Sequence, residues 1–79
     1  MDRRWWNKPV AVRKNGVTYQ VNNVLHAANM LLDEWPDTSS AAWKARSACM
    51  AALEGGDKDA AREAFEAAAK AAGVLVETA

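Results

Sequence analysis

One cysteine, one histidine, two prolines and no net charge set the first limits on this 79-residue chain. A lone thiol cannot close an intramolecular disulfide, and one histidine beside it falls short of the ligand sets that structural metal sites need. The longest unbroken apolar run, Ala48–Leu53, is far below the about 20 residues that span a bilayer. The opening MDRRWWNKP holds no apolar segment of the secretory kind, so a reducing cytoplasm is the expected location. A balanced charge argues against a chain built mainly to hold nucleic acid or an acidic membrane.

What is present is apolar: 51% of the residues are hydrophobic and 25% charged, the profile of a folded globule. The length suits one domain spanning 1–79, near the lower limit at which a lone core suffices. Four tryptophans help, since each large aromatic can bury roughly 150–250 Å². A second copy would help too, so a homo-oligomer or another protein partner is expected.

The charges are unevenly placed. Arg3, Arg4, Lys8, Arg13 and Lys14 stand against Asp2 in the first fourteen residues, a net of +4. The remainder carries five basic and nine acidic groups, a net of −4. A basic hairpin end and an acidic body can attract one another within the fold, between protomers, or toward a partner.

The N-terminal third reads as a β-hairpin over 8–21. KPVAVRK (Lys8–Lys14) and VTYQV (Val17–Val21) flank Asn15-Gly16, and a type I′ turn needs positive φ at both central positions. A two-residue loop pairs Lys14 with Val17, Val12 with Tyr19 and Val10 with Val21. The last two pairs share one face, leaving Ala11, Arg13, Thr18 and Gln20 on the other. Pro9 lacks an amide hydrogen and belongs at a strand start or outer edge.

Three helices follow. Asn22 or Asn23 can cap the first, about 24–35, whose apolar stripe is Val24, Leu25, Ala28, Leu31, Leu32 and Trp35; Pro36 stops it. Asp37-Thr38-Ser39-Ser40 offers caps for the second, about 41–53, which Gly55-Gly56 ends. Asp57 caps the third, about 58–72, which buries Ala61, Ala64, Phe65, Ala68 and Ala72 and pairs Glu66 with Lys70 on its wet side. Val74-Leu75-Val76, β-branched-rich and placed after a glycine, can add a short third strand at 74–76. The fold class is therefore α+β: a two-stranded antiparallel hairpin, then three α-helices, with room for a final strand.

These residues also match a family pattern. Trp6-x-x-Pro9-Val10, Trp35-Pro36, Cys49-x-x-Ala52-Leu53-x-Gly55 and Ala61-Arg62-x-x-Phe65-x-x-Ala68-Ala69-x-x-Ala72-Gly73-x-x-Val76 resemble the small bacterial family called domain of unknown function 982. The resemblance covers nearly the whole chain. It implies the domain limits and carries no established activity.

The candidates for chemistry are few. Cys49 lies mid-helix among alanines, where a free cysteine acts as a small hydrophobe; a reactive thiolate would need a base, and His26 sits on the polar side of a different helix. His26 alone reads as a surface residue. Asp33, Glu34 and Asp37 surround Trp35-Pro36 and oppose the helix macrodipole there, so Lys44, Arg46 or the basic N-terminal segment is expected to relieve them. Two carboxylates acting as acid and base would need a cleft.

Arg3-Arg4-Trp5-Trp6 is the most suggestive segment, because basic residues beside aromatics can hold single-stranded nucleic acid. Adjacent tryptophans in a strand point to opposite faces, however, which puts Trp6 in the core and leaves Trp5 to cover the other face or a partner. Arg62 lies on the rim of the third helix, within reach of Asp59 and Glu66, and is a further contact candidate. The expected function is a non-catalytic protein-interaction module or homodimer contacting its partner through Arg3, Arg4, Trp5, Lys8, Arg13, Lys14 and Arg62. The alternative is a nucleic-acid accessory protein using the basic hairpin. No enzyme activity, metal, cofactor or small-molecule ligand is expected.

Overall fold

The computed structural model describes residues 5–33, 35 and 40–76. The elements run β1 (Trp5–Lys14), β2 (Val17–Asn23), α1 (Val24–Leu32), α2 (Ser40–Leu53) and α3 (Lys58–Ala71). The chain is α+β, with a two-stranded antiparallel sheet followed by three helices.

The hairpin register is the one that the turn and the hydrophobic pattern both require: Lys14–Val17, Val12–Tyr19 and Val10–Val21 are paired. Asn15 and Gly16 take φ of 54° and 79°, as a type I′ turn demands. Val10, Val12 and Val21 are buried, but Tyr19, nearer the turn, remains 38% exposed. The strands reach beyond 8–21 at both ends, to Trp5 and Asn23. A register shift lies between Trp5 and Val10, the stretch that holds Pro9. Proline cannot donate to the ladder and is tolerated on an edge strand or near a bulge.

Val74–Val76 does not join the sheet as a full strand. Leu75 makes an isolated antiparallel bridge to Val12. Arg13 N–H donates to Val74 O (2.8 Å) and Val76 N–H donates to Ala11 O (2.9 Å). That segment lies against the outer edge of β1, and Ala11, expected on the open face, is buried.

Asn23 caps α1, its Oδ1 accepting from His26 N–H at 2.7 Å. The helix ends at Leu32 rather than Trp35. Asp33 is already extended (φ −109°, ψ 97°), although its N–H still reaches Asn29 O at 3.0 Å. Leaving the helical path lets Trp35 pack on Phe65 with ring centroids 5.6 Å apart. The buried stripe is Val24, Ala27, Ala28, Met30 and Leu31 rather than the expected one, and Leu32 is left exposed.

α2 begins at Ser40, one residue before the expected start, and buries Ala42, Ala45, Cys49 and Ala52. These small side chains let it pack against both α1 and α3. Its exit is tight. A Cβ on Gly56 would lie 2.8 Å from Ala51 O, so only glycine passes there without displacing backbone. Asp57 Oδ1 accepts from Asp59 N–H (2.9 Å) and caps α3, which ends at Ala71 with Ala72 as its C-cap.

The core gathers around Phe65, which is fully buried. Trp6 and Trp35 approach its ring at 6.0 and 5.6 Å with tilts of 39° and 48°, the offset geometry that aromatic quadrupoles favour. Trp6 is buried as expected, and its Nε1–H donates to Lys58 O at 3.0 Å, tying β1 to the start of α3.

Candidate interaction surface at the hairpin

Two adjacent tryptophans open β1 and separate: Trp6 goes inward to Phe65, while Trp5, opposite Asn23, is 51% exposed. Lys8 is exposed two positions beyond Trp6, and its carbonyl accepts from Arg62 Nε at 3.0 Å. Arg62 Nη1 also contacts Glu66 Oε2 at 3.1 Å. This arginine is therefore a strut between α3 and the irregular part of β1, and the i,i+4 pair on that side of the helix is Arg62–Glu66 rather than Glu66–Lys70. An exposed ion pair alone stabilises little, but the link to a backbone carbonyl fixes the guanidinium in place.

Around this strut lies an open groove of about 540 Å³. Val10, Ala11, Leu75 and Val76 contribute apolar wall; Lys8, Gln20, Arg62 and Glu66 contribute polar groups. The groove exists because the chain's last described segment lies along β1 and α3 packs beside it. Arg13 is exposed opposite Thr18.

Lys14 has a different task. Its Nζ donates to Asp33 O at the C-terminal end of α1. A cation at that end satisfies a terminal carbonyl and complements the macrodipole. At Asp33 the relief expected for the acidic helix end thus comes from the basic hairpin. A second hollow of about 340 Å³ lies here, bordered by Lys14, Tyr19, His26, Asn29 and Asp33. His26 is half-buried on its edge.

Of the residues expected to make contacts, Lys8 and Arg62 are brought together, Trp5 lies on the same strand as Lys8, and Arg13 and Lys14 lie toward the turn. Arg3 and Arg4 fall outside the described residues, as do Glu34, Pro36 and Asp37. Sequence reasoning left Trp43 unassigned. It is 61% exposed on α2, with the Arg46 guanidinium 4.9 Å from its ring centroid, and Met50 two turns on is half exposed. The i,i+7 spacing of Trp43 and Met50 was a usable signal, because it places both on the face opposite Ala42, Ala45 and Cys49.

Cys49 is fully buried, and burial pushes its thiol up to about 11. That is the reverse of what an activated nucleophile needs. Among the described residues, no group of three or more His, Cys, Asp or Glu side chains is placed to hold a metal ion. No helix among them is long and apolar enough to cross a membrane.

The NMR structure of Agrobacterium tumefaciens protein Atu1219, a Northeast Structural Genomics Consortium target, is similar to this chain at a TM-score of 0.78 and 32% identity. That match covers 99% of this chain and 81% of the other. No curated protein matches. The family model described as "Protein of unknown function (DUF982)" matches residues 8–76. The arginine strut, the groove beside it and the glycine-ended helices all lie within the matched residues, and the chain belongs to the DUF982 family.

Proposed function

We propose that this chain is a non-catalytic interaction module that docks a protein partner through the outer side of β1. The observation that carries the reading is Trp5. Two of the four tryptophans are exposed, and Trp5, at 51%, is the one on the strand that also borders the Lys8–Arg62 groove. Tryptophan and arginine are the side chains that most often anchor protein interfaces. The groove combines apolar wall with a cation pair and a carboxylate, which suits a polypeptide segment with mixed side chains. The chain works in the cytoplasm in this reading, with Arg3, Arg4 and Arg13 as further partner contacts.

The test is crosslinking and capture from the native cell with three baits: the wild type, Trp5→Ala and Lys8→Glu. Lys8 contributes only its carbonyl to the Arg62 strut, so the charge reversal leaves that bond in place. A specific partner held by the wild type and lost by both variants is the expected result. Equal capture by all three would overturn the assignment.

A further inference from the structure

The two edges of the sheet are unlike. In a two-residue hairpin Lys14–Val17 is a hydrogen-bonded pair, so Val12–Tyr19 and Val10–Val21 are as well. The backbone groups of Ala11 and Arg13 then point away from β2, and those of Thr18 and Gln20 point away from β1. The β1 side obeys this rule: Arg13 N–H donates to Val74 O and Ala11 O accepts from Val76 N–H. The β2 side has no such cover among the described residues. Thr18 and Gln20 present unpaired amides and carbonyls, and Val17–Gln20 is exposed throughout.

Natural sheets protect an open edge with charge, proline or a bulge. Here those devices all sit on β1, which carries Lys8, Pro9, Arg13, Lys14 and the register shift, although its edge is already occupied by Leu75. The open strand, VTYQVNN, has no charge and no proline. Val17 and Tyr19 are 50% and 38% exposed on it. A two-fold axis brings like residues together, and an uncharged strand is the kind that meets its own copy without repulsion.

We propose that two copies of the chain associate through this edge, β2 against β2 in antiparallel order. The register centres on Tyr19, placing Thr18 of one copy opposite Gln20 of the other. In that register all the outward groups of the exposed stretch are paired: each Thr18 and each Gln20 exchanges its amide and carbonyl with the strand opposite. Tyr19 meets its counterpart across the axis, a favourable aromatic pair. The two hairpins become one four-stranded sheet, which meets the usual requirement of three or more strands that a lone hairpin does not.

This inference rests on the interaction reading for its class of function but uses a different edge, so the two fail separately. The experiment compares the wild type with Thr18→Glu/Gln20→Lys and Thr18→Glu/Gln20→Glu by light scattering and sedimentation. Position 18 faces Arg13 within the hairpin, so the new carboxylate there meets a cation in both variants and handicaps neither in folding. In the proposed register the first variant sets two Glu–Lys pairs across the axis, and the second sets two Glu–Glu pairs. The wild type and the Glu/Lys variant are expected to dimerise, with the Glu/Glu variant about tenfold or more weaker. A strictly monomeric wild type overturns the proposal, and a monomeric, folded Glu/Lys variant overturns the register. Hydrogen exchange on the wild type gives a second readout that no variant can confuse. Protection of the Thr18 and Gln20 amides must rise with protein concentration, and fast exchange at every concentration overturns the pairing.

Discussion

Phe65 is where the fold is most open to measurement. The side chain has no exposure and lies between two indoles whose centroids are 5.6 and 6.0 Å away. Phe65→Leu keeps an apolar side chain of similar size and removes both ring contacts. Each aromatic pair adds about 0.5–1.5 kcal/mol beyond burial, so the loss is about 1–3 kcal/mol. A domain of this length holds roughly 4–12 kcal/mol in all, at about 0.05–0.15 per residue, so the leucine variant stays folded. Its melting temperature falls by about 4–8 °C for each kcal/mol. Phe65→Ala adds a cavity and costs about 3–5 kcal/mol, close to the whole stability at the lower end of that range. Urea titration followed by both circular dichroism and tryptophan fluorescence measures each step. Two of the four indoles, Trp6 and Trp35, pack on the ring, and their fluorescence should change together with the circular dichroism. A leucine variant within about 0.5 kcal/mol of the wild type would refute the aromatic centre, since that is the scatter of inconsequential substitutions.

Two further outcomes follow from single groups. Asn23→Ala removes the α1 cap and leaves His26 N–H without its acceptor, so stability falls by about 0.5–2 kcal/mol, read as a lower urea midpoint at unchanged slope. Burial raises the Cys49 thiol from 9.0 to about 11, so the native state holds its proton where the unfolded state releases it. Stability from this group is complete below pH 9.0 and is lost as pH climbs toward about 11, with a slope of up to about 1.36 kcal/mol per pH unit. Cys49→Ala should flatten that part of the wild-type profile, and an unchanged profile would remove the thiol as its source.

The local chemistry of the chain was legible because its signals act over a few residues. Asn15-Gly16 sets the positive φ values of the turn, and Val10, Val12 and Val21 choose the same pairing, so the register follows without knowledge of the rest. Asn23 and Asp57 cap their helices through bonds that span two or three residues. The division of Trp5 from Trp6 was legible too, because alternation along a strand is a local rule. The candidate site was only half legible: residue type marked Lys8 and Arg62, yet nothing in a linear pattern brings positions 54 apart to a 3.0 Å contact.

By itself, then, the sequence determined the order of elements, the hairpin register, the caps and the membership of the core residues Trp6 and Phe65. Only the tertiary structure decided where α1 ends. Trp35 must leave the helix to reach Phe65, and Lys14 takes up the carbonyl of Asp33 left at that end. It also decided which edge of the sheet stays open, since that depends on Val74–Val76 returning to β1 from beyond α3. These outcomes turn on competition between distant partners for the same backbone groups, and such competition is settled only when the chain is packed.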